Sequence, residues 1–319
     1  MRNYVTTMGQ RAWRMFITVA RIMLPILFIV HFADQIGLVQ WVAELIAPVM
    51  NLLHLPPEAG IVWVTTILTN IYGGIATLGA LSSDNLQLTT AQLSALGAMM
   101  LFAHNLPVEQ AIAQRAGASA LITGTLRISV AMIYGGLVAW VLSQLNVLGQ
   151  PVDLSWLSGK AEPENLSFWA SWWPWLMSTG RTLIMTALII LGLVIVLDLL
   201  ERVGFTKLIT KLMSPVLRLS GLDERAAPIT TVGVLLGLSY GGALIIEEAK
   251  KNNFDAKTRL LALSWLSLSH SLIEDTLLIM ALGANIWVIL VGRVLMTLLI
   301  MACMAQILKR LNNQDRHVF

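Results

Sequence analysis

The chain has 319 residues, of which 56% are hydrophobic and only 12% charged, and its formal net charge is +3. With a mean hydropathy of +0.74 it cannot cover a water-facing surface with polar groups, which excludes an ordinary soluble protein. Its basic residues flank apolar runs instead of forming a patch, which argues against nucleic acid as a partner; the expected class is all-α, a polytopic protein whose first partner is the lipid bilayer.

In chain order, residues 1–14 read as a cytoplasmic amphipathic segment. Arg11, Arg14 and Arg21 lead into the apolar run Met15–Ile36, and no small-residue cleavage site follows it, so the run is expected to stay as a spanning helix. Residues 38–53 pattern as an amphipathic helix lying along the interface, and residues 205–219 repeat that pattern. Further crossings are expected at about Thr89–His104 and at Ala118–Leu145. Residues 146–180 carry five Trp among turn formers, a composition that favours the membrane boundary, and read as an interfacial, extracytoplasmic linker. Leu183–Leu200 and Ala284–Ile307 are again apolar over lengths near the roughly 20 residues a span requires, and 311–319 form a cytoplasmic tail. The single cysteine, Cys303, permits neither an internal disulfide nor a cysteine metal cluster.

The sequence is written twice. IGLVQWVAELIAPVMNLLHLPPEAG from Ile36 aligns with VGFTKLITKLMSPVLRLSGLDERAA from Val203, pairing Pro48 with Pro215. Tyr72, Gly73 and Gly74 fall on Tyr240, Gly241 and Gly242; His104 falls on His270, Gly117 on Gly283 and Arg127 on Arg293. Anchors that keep their order with only small slips mark an internal repeat, with units at 15–145 and 181–310.

The two units carry opposite charge logic. No Lys or Arg occurs from Ile22 to Gln114, whereas the matching part of the second unit holds Arg202, Lys207, Lys211, Arg218, Arg225, Lys250, Lys251, Lys257 and Arg259. By the positive-inside rule corresponding loops lie on opposite sides, so the repeat is inverted and both termini are cytoplasmic. The loops on either side of Ala59–Ala80 then share one face, so that segment enters and leaves on it as a re-entrant hairpin. Its expected tip holds Asn70, Tyr72, Gly73 and Gly74, with glycine permitting the reversal, and the opposing tip holds Ser239, Tyr240, Gly241 and Gly242. About six transmembrane helices, two such hairpins and the interfacial helices complete the expected architecture.

Ionisable groups inside the apolar segments cost at least about 2.5–3.5 kcal/mol each on insertion scales, so they mark a site and need partners. The first unit supplies His104, Asn105, Glu109 and Arg127; the second supplies His270, Ser271, Glu274, Asp275 and Arg293, in the same order. Pro107 predicts a helix break in the first set. In the second, the i, i+4 spacing of His270 and Glu274 puts both on one face if the helix continues. For each Arg, an ion pair with a neighbouring carboxylate and contact with an anionic ligand are both open. Helix breaks at corresponding positions of two units are the best sequence pointer to a transporter's binding site.

With HNLPVEQAIAQRAG, HSLIEDTLLIMALGA and the duplicated YGG, the chain resembles the nucleoside-recognition or Gate-domain family of membrane proteins. That family includes the spore maturation proteins A and B, the gate regions of ferrous-iron transporters and part of the concentrative nucleoside transporters. The resemblance covers nearly the whole chain as two fused Gate units and implies inverted repeats with re-entrant hairpins. It also implies the cytoplasmic (inner) membrane of a bacterium. No GxxxxGK[ST] nucleotide motif occurs in the chain.

The expected function is a secondary transporter of a small polar solute, nucleoside-like by the resemblance alone, driven by a coupling Na+ or H+; a homo-oligomer is compatible with it. The alternative is a non-transporting membrane scaffold or partner subunit in which the charged residues are interhelical locks. No nucleophile–base pair and no HExxH-type signature appears, so neither an enzyme nor a resident metal or other cofactor is expected.

Overall fold

A computed structural model describes residues 2–82, 86–158, 172–204 and 256–315. Among them the elements are α1 (Arg2–Gln35), α2 (Leu38–Leu52), α3 (Pro57–Leu68), α4 (Ile71–Leu81), α5 (Thr90–Phe102), α6 (Leu106–Arg115), α7 (Ala120–Gln144), the single turn α8 (Ser155–Ser158), α9 (Trp172–Arg202), α10 (Ala256–Ser269), α11 (Glu274–Ala281), a π-helical segment (Trp287–Gly292) and α12 (Arg293–Asp315). The described residues hold no strand, only an isolated bridge between Thr89 and Pro151. The protein is an all-α membrane protein.

Among the described residues three helical stretches are long and apolar enough to cross a bilayer: Ala120–Gln144, Trp172–Val196 and Trp287–Arg310. A fourth candidate is the pair Met23–Gln35 and Leu38–Leu52, which bends by 91° at Gly37. Gly37 sits at φ 73, a left-handed conformation that costs glycine nothing, and this sharp corner is what lets α2 leave the direction of α1. The bend agrees with an amphipathic helix along the interface. The predicted span Leu183–Leu200 lies within α9, whose first turns begin at Trp172, so Trp172, Trp173 and Trp175 belong to a helix and not to irregular linker.

α3 and α4 are the two arms of the expected hairpin in the first unit, and they pack on each other. The reversal is sharper and simpler than the sequence indicated. It falls at Thr69, which is neither helical nor extended, and at Asn70, which is extended, while Tyr72, Gly73 and Gly74 already lie in the first turn of α4. Asn70 accepts a hydrogen bond from Gly73 N at 3.0 Å and so caps α4. The glycines are therefore not the turn residues. A Cβ on Gly73 would collide with Thr69 Oγ1 and reach 2.8 Å from Ile26, and one on Gly74 would collide with Thr66 Oγ1 and reach 2.8 Å from Met100. They permit close packing of the hairpin arms. The opposing tip (Ser239, Tyr240, Gly241, Gly242) and the amphipathic stretch 205–219 lie outside the described residues.

α5 is the hub. From Ala91 to Phe102 all but Gln92 are buried, the signature of a helix surrounded by protein on every side. It packs chiefly on α7 and touches α3, α10, α11 and the π-helical segment. With 13 residues it is only about 20 Å long, short of the roughly 30 Å hydrocarbon core, so α5 by itself is too short for the crossing expected at Thr89–His104. A Thr89–Gln92 capping box fixes its start. Around this core α1, α7, α9 and α12 turn Phe28, Ile29, Leu121, Ile133, Leu188, Ile195, Leu295 and Leu299 outward, as lipid contact requires.

Candidate functional site

The site is built from two broken helices. α5 stops at Ala103, the chain turns through Asn105 in the left-handed region (φ 49), and α6 resumes with Pro107 in its first turn. Asn tolerates that conformation better than most residues, and proline in a first turn has no amide bond to lose. In the second unit α10 stops at Ser269, Ser271 takes the same conformation (φ 48), and α11 begins at Glu274. Here no Pro or Gly announces the break. The helix therefore does not continue from His270 to Glu274, so the condition for a shared face of those two residues is not met.

Each break leaves backbone carbonyls at a helix C-terminus without intrahelical donors. In each unit one fully buried arginine fills that role. Arg127 Nε donates to Phe102 O at 2.7 Å and Nη2 to His104 O at 2.9 Å. Arg293 Nε donates to Leu268 O at 3.0 Å and Nη2 to His270 O at 3.1 Å. Every partner is displaced by 166 residues, and the guanidinium also places positive charge at the negative end of the helix dipole. The third donor breaks the correspondence. Arg127 Nη1 pairs with Glu109 Oε2, whereas Arg293 Nη1 has no hydrogen-bond partner among the described residues. The residue corresponding to Glu109 is Asp275, one methylene shorter.

The two histidines meet. His104 Nδ1 lies 2.9 Å from Met100 O and His270 Nδ1 lies 2.9 Å from Leu266 O, again with partners 166 apart. A carbonyl only accepts, so both Nδ1 atoms carry hydrogen, and a neutral ring then offers Nε2 as a lone pair. The two Nε2 atoms are 2.8 Å apart. Two lone pairs cannot face each other at that distance without a proton or a cation between them. Glu109 Oε1 lies 3.1 Å from His270 Nε2 and 3.4 Å from His104 Nε2, and Asp275 Oδ2 lies 3.7 Å from His104 Nε2. His104, His270 and Glu109 are all buried.

The structure thus gathers His104, Glu109, Arg127, His270, Asp275 and Arg293 at one centre. Glu274 Oε1 accepts from Tyr72 Oη at 3.4 Å, which ties the first turn of α4 to α11. Asn105 and Ser271 serve through their backbone: Asn105 N donates to Thr66 O at 3.0 Å, joining the break to the hairpin, and Asp275 N donates to Ser271 O at 3.1 Å.

Sequence reasoning missed the carbonyls of Met100 and Leu266, which orient the histidines, and it missed Tyr134. Tyr134 Oη donates to Val288 O at 2.8 Å inside the π-helical segment that leads into Arg293. A Cβ on Gly292 would overlap that hydroxyl. A phenol and a glycine in otherwise apolar spans were the available signals.

Residues 16–123 match the family model described as Gate, nucleoside recognition. The chain is 26% identical over 302 residues to the uncharacterized membrane protein YvoD of Bacillus subtilis (strain 168), covering 92% of this chain and 91% of that protein. No solved structure matches the chain.

Proposed function

We propose that the protein is a cation-coupled secondary transporter of a small polar solute, with its centre where the two helix breaks meet. The carrying observation is the 2.8 Å contact of His104 with His270, one residue from each unit, between Glu109 and Asp275. Ionisable side chains from both halves of an inverted repeat, set beside broken helices, are what an alternating-access mechanism needs. One unit rocking against the other separates the histidines and exposes the centre to alternate sides. The hairpin formed by α3 and α4, linked to the breaks through Thr66 and Tyr72, is the gate on its side. The coupling ion is a proton or a sodium ion, and the Gate match makes a nucleoside the first solute to test. Both termini are cytoplasmic, and the membrane is the bacterial inner membrane.

The experiment is uptake into proteoliposomes under an imposed proton or sodium gradient. Wild type accumulates the solute; Glu109→Gln and Asp275→Asn lower the rate at least about 10-fold, because each removes a carboxylate that the cation requires. Unchanged gradient-driven uptake in both variants removes this centre from the mechanism.

One observation favours a second reading, that of a non-transporting scaffold. Arg127 and Glu109 already satisfy each other, as interhelical locks would. A scaffold binds no solute and co-purifies with a stoichiometric protein partner, whereas a transporter does not need one.

A further inference from the structure

The electron-pair geometry of the centre reaches past a coupling proton. We propose that the centre is a divalent transition-metal site whose ligands are His104 Nε2, His270 Nε2 and Glu109 Oε1, with the Asp275 carboxylate beside His104 as a second acid at the site. The inference rests on reading this centre as the protein's cation site, and it names the class of cation.

The donor set carries the argument. Each imidazole has its Nδ1–H fixed by a backbone carbonyl at 2.9 Å, the outer contact that orients a metal-binding histidine and leaves Nε2 as donor. Glu109 is fixed in the same way: Arg127 holds Oε2, and Oε1 faces the rings. The ligand atoms of His104, Glu109 and His270 all lie within 4.8 Å of one another. Bonds of about 2.0–2.1 Å in a tetrahedron put neighbouring ligand atoms about 3.3 Å apart. Distances of 3.1 and 3.4 Å from Glu109 to the two rings bracket that value, and 3.7 Å from Asp275 to His104 lies just above it. Only the 2.8 Å between the rings falls short, so a metal ion requires them to part by about half an ångström. They extend from turns, not from helix interiors, and turns accommodate such a shift.

Two further facts bear on the choice. Asp275 makes no hydrogen bond to Arg293, whose Nη1 goes without a hydrogen-bond partner among the described residues, and its Oδ2 lies 3.7 Å from His104 Nε2. Imidazole nitrogen selects zinc, iron, cobalt, nickel or copper over sodium, magnesium or calcium, which take oxygen.

Cobalt(II) is the probe, because its visible spectrum reports tetrahedral coordination. Tag-free full-length protein in detergent, carrying Cys303→Ser to remove the thiol, is titrated with Co2+ and the bound ion is then displaced with Zn2+. The expected result is one saturable Co2+ per chain with a tetrahedral spectrum. His104→Gln and His270→Gln weaken binding about 100-fold or more and Asp275→Asn about 10-fold. Thermal melting checks each variant's fold, and Asp275→Asn carries the test should a histidine variant fail to fold. No saturable binding, or Co2+ affinity unchanged in the folded variants, overturns the metal site. Solute uptake by a protein that binds no Co2+ overturns it too while the transporter stands; one bound Co2+ without any solute uptake supports it while the transporter falls.

Discussion

Arg127 and Arg293 do the same job in the two units with different company. Both are fully buried and both bridge two carbonyls at the end of a broken helix. Only Arg127 is hydrogen-bonded to a carboxylate, Glu109; Arg293 Nη1 has no hydrogen-bond partner among the described residues, and the corresponding acid, Asp275, is one methylene shorter. The difference teaches that Glu109 both pairs with its arginine and faces the histidines, whereas Asp275 faces His104 without a hydrogen bond to Arg293. In a duplicated protein, one methylene divides the labour unequally between corresponding acids.

The comparison predicts unequal costs of losing the two arginines. Arg127→Gln strands Glu109 as a buried, unpaired charge and is expected to destabilise the protein by about 3–5 kcal/mol in reversible unfolding from detergent. Arg293→Gln strands no hydrogen-bonded carboxylate and orphans two carbonyls at most, so about 1–3 kcal/mol is expected in the same assay. Equal losses would mean that Asp275 serves Arg293 after all. The smallest stability effect belongs to Asp275→Glu, whose extra methylene lets the acid reach Arg293 Nη1: stability stays within about 1 kcal/mol of wild type, since the new pair and the added volume oppose each other. Gradient-driven uptake should nevertheless fall about 10-fold, because the lengthened acid is then drawn towards Arg293 and away from His104. A variant that keeps full uptake contradicts the division of labour.

The residues of the centre were legible because buried charge is conspicuous in apolar sequence, and because duplication at a fixed offset brought His104 with His270 and Arg127 with Arg293. Their connections were less so. Pro107 announced the first break, but HSLIED contains no breaker, and Ser271 takes a left-handed conformation that its side chain does not advertise. Helical spacing therefore pointed to Glu274, whereas the repeat offset, applied strictly, points to Asp275 as the counterpart of Glu109. Apolar patterning located the membrane segments but not their continuity, which is why a crossing was expected at Thr89–His104, where α5 by itself is too short for one. The hairpin was legible from charge asymmetry alone, yet its glycines were assigned to the turn because composition cannot tell a reversal from a close approach. The π-helical register at Val288 leaves no mark in the sequence beyond Tyr134 and Gly292.

The central claim is that one cation centre is shared by two units threaded through the bilayer in opposite senses. Single cysteines at Asp84 and at Lys250, introduced separately into the Cys303→Ser protein and treated in intact cells with a membrane-impermeant thiol reagent, test it most directly. The account predicts that the cysteine at Asp84 labels from outside and the one at Lys250 labels only after the membrane is opened. Labelling of both from the same side would contradict it.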